Sequence, residues 1–156
     1  MGIKIRKATG KDLDILTELW HEEEKLHKKF DKHAKLKKDA KKLIYNFLKS
    51  NIKKPYYAAF IAEDKGKAIG ALNGQIKKWH FVNDVGLYGY CSTIFVKESY
   101  RNKGVAKRLF NRVDLWFKSK KIKVTALFVH SKNRSALKAW KNLGFKEVLK
   151  WMVREV

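Results

Sequence analysis

Apolar and polar positions divide the chain into short periodic blocks. Ile3 and Ile5 alternate with Lys4 and Arg6, the two-residue period of a short first strand. Leu13, Leu16, Leu19, Trp20, Leu26 and Phe30 recur at helical spacing, with Thr9 or Asp12 placed to cap and Glu22-Glu23-Glu24 assigned to the wet side. Residues 27–35 read as a polar connection. A second helix follows, with Leu36, Ala40, Leu43, Ile44, Phe47 and Leu48 on one face, and ends at Ser50-Asn51 ahead of Pro55. Residues 56–62 and 68–76 suit two strands joined by the turn Asp64-Lys65-Gly66-Lys67. Gly70 and Gly74 mark a bulge or a close approach there.

From residue 77 to 89 the pattern breaks. Trp79, Phe81, Val82, Leu87 and Tyr88 are apolar, but Asn83-Asp84 and Gly86 interrupt them, which predicts a loop that shapes a cleft. Residues 90–96 predict a central strand containing the apolar run Ile94-Phe95-Val96. Residues 97–103 are polar, and after Gly104 a helix face appears in Ala106, Leu109, Phe110, Val113, Trp116 and Phe117. Residues 122–129 predict another strand and 133–142 another helix, with Ala136, Leu137, Trp140 and Leu143 inward and Gly144 as C-cap. Residues 145–153 predict a last strand. The order β-α-α-β-β-β-α-β-α-β, with no repeat or linker, predicts one mixed α+β (α/β) domain over residues 1–156, with a mixed, mostly antiparallel sheet flanked by helices.

The strand–loop–helix passage at 90–109 carries the clearest chemistry. A tight polar loop before a helix leaves the first backbone N–H groups unpaired at the positive end of the helix dipole, which favours an anion. Gly104 removes the Cβ that would block a ligand oxygen, and Arg101, Lys103, Lys107 and Arg108 add charge. The loop suits a phosphate. It lacks the Lys-Ser/Thr pair of a P-loop and the second early glycine of a dinucleotide fold.

Composition narrows the classes further. With 156 residues, 45% apolar and 13% aromatic, the chain can fill one core and is not globally disordered. One cysteine, Cys91, excludes an internal disulfide framework and suits a reducing cytoplasm. No apolar run approaches 18 residues and no signal peptide is recognisable, so a soluble cytoplasmic protein with no membrane partner is expected. The net charge of +22 is concentrated in residues 101–156, which hold 16 basic and 3 acidic side chains. Such charge suits either a solvated lysine-rich surface or attraction of a polyanion: a phosphorylated ligand, an acidic protein or nucleic acid.

Arg101-x-x-Gly104-x-Ala106 directly after a strand resembles the acetyl-CoA pyrophosphate loop of the GNAT (GCN5-related) N-acetyltransferases. Asn133-Arg134-Ser135-Ala136 with Trp140-Lys141-Asn142-Leu143-Gly144-Phe145 is similar to that family's Asn-x-x-Ala…Tyr-x-x-x-Gly-Phe ending. The motifs cover roughly residues 90–150, and the element order extends the likeness to the whole chain. The resemblance implies the GNAT acyltransferase fold, acetyl-CoA as cosubstrate, no metal, a primary-amine acceptor and a possible homodimer. It also implies that backbone groups of Ile94, Phe95 and Val96 pair with the pantetheine arm. Main-chain N–H groups of Arg101, Asn102, Lys103, Gly104, Val105, Ala106 and Lys107 would hold the pyrophosphate. Asn133 would contact pantetheine or order its helix. Acetyl transfer would be direct, through a tetrahedral intermediate, with a backbone N–H near Phe95 as oxyanion donor.

Two departures stand out. Trp140 occupies the position of the tyrosine that often protonates the leaving thiolate, and an indole is no acid near pH 7. No carboxylate stands in Tyr88-Gly89-Tyr90-Cys91, where some members place a base, so Tyr90 and Tyr88 become acid–base candidates beside packing roles. Asp84, Glu63, Glu23 and Glu24 are further carboxylates within reach of a cleft. Cys91 reads as a buried apolar residue, and His21, His27, His33, His80 and His130 show no metal-ligand spacing. His130, Trp79, Phe81 and Trp151 read as packing, surface or interface residues. A basic cleft would repel polycationic amines and favour an acceptor with acidic surroundings. Competing readings are a nucleic-acid-binding module using the basic C-terminal third, and a CoA-binding regulatory domain without fast chemistry.

Overall fold

The structure, a computed structural model, describes residues 2–80 and 82–156. Phe81, assigned above to the interrupted loop, lies outside them. Strands β1 (Lys4–Lys7), β2 (Tyr57–Asp64), β3 (Lys67–Lys78), β4 (Leu87–Val96) and β5 (Thr125–Leu127) form one sheet in sequence order, antiparallel except for the parallel β4–β5 pair. Helices α1 (Leu13–His27) and α2 (Ala40–Asn51) cover one face, and α3 (Val105–Ser119) with α4 (Arg134–Asn142) the other.

The two-residue strand period explains the two-sided core. Ala58, Phe60, Leu72 and Cys91 meet Leu109, Phe110, Val113 and Phe117 of α3, while Tyr57, Ala59, Ile61 and Ala71 meet Leu16, Leu19, Ile44 and Leu48. Lys65 and Gly66, both at positive φ, make the expected two-residue turn between β2 and β3. Thr9 and Asp12 act together as a capping box for a short 3-10 turn leading into α1. Arg6 locks that corner, donating to Asp12 through Nη1 and Nη2 (2.9 and 2.7 Å) and to Glu63 through Nε (2.8 Å).

One irregularity shapes the site. Asn73 pairs with Thr93 but Gly74 pairs with Cys91, so Ser92 is an extra residue in β4. The bulge reverses the alternation: Gly89 and Cys91 face α3, whereas Thr93 and Phe95 face α1.

Five expectations need correction. Phe30 and Leu36 lie outside the helices, since α1 ends at His27 and α2 begins at Ala40. Residues 145–153 form no strand, because β5 is only three residues long and gives its outer edge almost no ladder. The strand expected over 122–129 is Thr125–Leu127, since beyond Leu127 it parts from β4 and Phe128 turns out to 73% exposure. The loop expected over 77–89 shrinks to 79–86, as cross-strand pairs reach Lys78 and Leu87. Glu23 is not on the wet side of α1 but 9% exposed. Three successive helical residues span about 200°, so one of three glutamates must turn inward. Glu23 falls on the stripe of Leu16, Leu19 and Leu26.

Candidate active site

The first component is an open strand edge. β4 pairs with β5 only at Gly89–Cys91, so from Ser92 to Val96 its outer edge has no strand beside it. Lys97 N–H donates to Ile69 O on β3. By alternation Phe95 and Thr93 also point their backbone groups at β3, and Ile94 and Val96 point theirs at the open edge. The N–H facing the opening is therefore that of Ile94 or Val96, not that of Phe95. The outward carbonyl of Val96 already accepts Arg101 Nε at 3.0 Å.

The second component follows directly. After a 3-10 turn at Glu98–Tyr100, Asn102 (φ 58°) and Gly104 (φ 75°) both adopt left-handed backbone and swing the chain into α3. Gly104 is the N-cap and offers no side-chain acceptor, and the first intrahelical bond is Arg108 N–H to Gly104 O. The N–H groups of Val105, Ala106 and Lys107 consequently face out of the helix end. Nothing lies within 4 Å of where a Gly104 Cβ would stand. Lys103 Nζ donates to Ser99 O at 2.8 Å, and Arg108 Nη2 reaches away to Ile3 O at 2.6 Å. Asn133 caps α4, its Oδ1 accepting from Ala136 N–H at 3.1 Å.

The third component lies on the opposite face of the sheet, between β4 and α1. Tyr90 is half-buried; Lys77 Nζ stands 4.1 Å from its ring centre, and burial, reinforced by Tyr88 and Glu23, pushes its phenol pKa up. Its phenol is held protonated, the state of a proton donor rather than of a base. Tyr88 instead packs edge-on against Trp79, ring centres 4.8 Å apart. On α1, His27 Nε2 lies 2.9 Å from Glu23 Oε1 and Nδ1 3.7 Å from Glu24 Oε2. These carboxylates push the His27 pKa up to about 10, while burial raises that of Glu23. Among the described residues this is the one His/carboxylate group close enough to hold an ion, and its i, i+3 and i, i+4 spacing was visible in Glu23-Glu24-x-x-His27. With His27 protonated, it is internally paired rather than arranged as a metal ligand set.

The remaining candidates separate cleanly. Trp140 is 8% exposed and packs edge-on against Phe110 and Phe145, so the residue in the tyrosine position is core. Cys91 is buried with its thiol pushed up to about 12, which removes it as a nucleophile. His130 stacks on Phe30, and Glu63 is held by Arg6; Asp84 stands exposed in the 79–86 loop. Among the described residues no helix is long and apolar enough to cross a membrane.

β4 thus outruns its parallel neighbour β5 and leads into the glycine-capped helix α3. The acetyltransferase (GNAT) family model matches residues 14–145. The chain belongs to that family. An uncharacterized N-acetyltransferase of Methanocaldococcus jannaschii is 29% identical over 154 residues, covering 97% of this chain and 65% of the relative. An aminoglycoside N(6')-acetyltransferase type 1 of Salmonella typhimurium is 34% identical over 94 residues, 59% of this chain and 64% of the relative. The chain thus spans just under two thirds of the length of these curated relatives. The solved structure of AAC(6')-Iy with the bisubstrate analogue CoA-S-monomethyl-acetylneamine superimposes with a TM-score of 0.76 at 24% identity, covering 100% of this chain and 99% of that one. At that identity the likeness concerns the fold.

Proposed function

We propose that this GNAT domain transfers an acetyl group from acetyl-CoA to an aliphatic primary amine. The observation that carries the reading is the open β4 edge running straight into the Gly104-capped helix. Outward groups of Ile94 and Val96 would pair with the pantetheine amides as an added strand would, the Phe95 side chain lying behind them. The N–H groups of the 101–107 loop would hold the pyrophosphate. The chemistry is attack of a neutral amine on the thioester carbonyl. Ile94 N–H takes the developing oxyanion, and the Tyr90 phenol returns a proton to the departing thiolate.

The acceptor follows from two supports. Relatives of this chain are named aminoglycoside N-acetyltransferases, and α1, the helix over β4, carries five acidic side chains and one lysine in a chain of net charge +22. The acceptor side is therefore locally acidic, and a polycationic amine is favoured over the acidic-context acceptor that total charge suggested. The one buried thiol fits a cytoplasmic setting. A homodimer would have a specific seam: Val148, Leu149, Trp151 and Met152 stand 78–89% exposed on the C-terminal tail, and β5 has a free edge among the described residues. Pairing the tail with a second copy's β5 would bury both, which sedimentation equilibrium checks.

Calorimetric titration of acetyl-CoA tests the main reading, with CoA release followed over neamine, spermidine and a lysine peptide. Micromolar binding abolished by Gly104→Trp, with turnover of one amine, is the expected result. Binding without turnover points to a regulatory CoA binder, and no binding overturns the proposal.

A further inference from the structure

The face of the sheet under α1 holds an unusual set of oxygens. His21 Nδ1 on α1 is buried without a hydrogen-bond partner, and so are four oxygens, Glu23 Oε2, Asn73 Oδ1, Thr93 Oγ1 and Tyr57 Oη. Their residues are 9%, 3%, 6% and 2% exposed. The register places them together: Ala59, Asn73 and Thr93 form one cross-strand row, Tyr57, Gln75 and Tyr90 the next, and α1 packs over β3 and β4 above them. Buried polar atoms in native proteins are nearly always satisfied, so four orphans on one face ask for a ligand. Every one of the four oxygens accepts hydrogen bonds, and Glu23 keeps Oε2 free while its Oε1 lies 2.9 Å from His27 Nε2. The matching ligand is an alkylammonium group, which offers three donors, one positive charge and no acceptor. A metal ion suits the set less well, because the His27 imidazole beside Glu23 is already paired with Glu23 and Glu24.

We propose that these oxygens form the acceptor-amine subsite, with Glu23 as the residue that receives the ammonium and takes its first proton; this rests on the acetyltransferase reading above. Thr93 is the neighbour of Ile94, so the subsite lies behind the edge position where the thioester carbonyl would be held. The balance is simple. R–NH3+ gives one proton to the Glu23 carboxylate, and the lone pair of R–NH2 forms the C–N bond. The tetrahedral intermediate breaks the C–S bond, Tyr90 protonates the departing sulfur and takes the second nitrogen proton in return, and Glu23 releases its proton to solvent.

The test compares wild type, Glu23→Gln, Glu23→Asp and Thr93→Val, each checked for an unaltered circular dichroism spectrum. Neamine, spermidine and a lysine peptide are titrated calorimetrically into protein saturated with CoA, and acetyl-CoA into protein alone. E23Q is expected to bind the preferred amine at least tenfold more weakly and T93V several-fold more weakly, both with acetyl-CoA affinity within threefold of wild type. E23D should recover part of the loss, as a merely structural role would not require. Should E23Q fail to fold, T93V decides alone, since Val replaces Thr at similar volume. Unchanged amine affinity in the folded variants overturns the subsite while leaving the enzyme reading intact. So does a wild type that binds acetyl-CoA and none of the three amines. A wild type that fails to bind acetyl-CoA overturns the parent reading instead.

Discussion

Replacing Gly104 by alanine separates backbone strain from ligand binding, provided Gly144→Ala is measured beside it. Both glycines hold left-handed backbone, φ 75° and 92°, and at both a new Cβ would meet nothing within 4 Å. Neither substitution creates a clash in the protein alone, so each costs only the conformational penalty of an L-residue there, about 1–2 kcal/mol. For a domain of this size that lowers the melting temperature by about 2–8 °C. The positions differ in what lies before them. Gly104 caps the outward N–H groups of Val105, Ala106 and Lys107, whereas Gly144 follows α4 at the end away from Asn133. The empty volume at Gly104 is where the pyrophosphate would approach the helix, and relief of the strained φ would also re-aim those donors. Gly104→Ala should therefore lose at least tenfold in acetyl-CoA affinity, about 1.4 kcal/mol, beyond its stability loss. Gly144→Ala should melt at a similarly reduced temperature and bind as wild type. Thermal unfolding and calorimetric titration of the three proteins suffice. Equal melting losses with acetyl-CoA affinity unchanged in Gly104→Ala would refute the assignment of the helix end to the pyrophosphate.

Two further predictions probe other parts of the structure. A Cβ at Gly89 would stand 2.7 Å from the ring of fully buried Phe117, so Gly89→Ala should destabilise by about 1–3 kcal/mol, and Phe117→Leu in the same chain should recover part of it. Equal denaturant midpoints for Gly89→Ala and wild type would contradict this packing. The second concerns pH: the folded pKa of His27, about 10, lies above its ordinary 6.5. Its bonds to Glu23 and Glu24 therefore stabilise the fold fully below about pH 6.5, and the contribution declines as pH rises until it is lost through about 10. Urea unfolding of wild type and His27→Gln should differ most near pH 6 and converge by pH 10.5; a constant gap across that range would mean that His27 does not hold its proton.

Much of the fold was legible because it depends on short-range periods. The helical stripes apart from Phe30 and Leu36, the Asp64–Lys67 turn and Gly104 at a helix start all follow from local spacing, and the structure keeps them. What failed depended on partners. Residues 145–153 have the composition of a strand, but a strand exists only against another edge, and β5 offers three residues. The bulge was half visible: Gly74 lies beside the register shift, yet the extra residue is Ser92 on the other strand, in a stretch with no glycine to announce it. Glu23 was misplaced for a different reason. Charge suggested the surface, while the spacing from Leu16 and Leu19 already put it on the buried stripe. Asn73 and Thr93 left no trace in periodicity, because an alternating strand pattern says which face a residue takes and not whether that face is covered.

The extra residue in β4 joins the two halves of the site. Upstream of Ser92, odd-numbered residues face α3; downstream, odd-numbered residues face α1 and even-numbered backbone groups face the open edge. Without the bulge, Thr93 would point into the α3 core and Ile94 would turn its N–H toward β3. The buried oxygens and the edge donor would be lost together. The same residue marks where β5 leaves, so the opening begins where the faces exchange roles. Charge divides along this line as well. The loop and helix end that would meet an anion carry Arg101, Lys103 and Lys107, and the helix on the other face carries Glu18, Glu22, Glu23 and Glu24. An anionic donor and a cationic acceptor would thus approach one strand from surfaces of opposite sign. A total of +22 conceals that division, because five of the fifteen carboxylates lie on α1, the helix over β4.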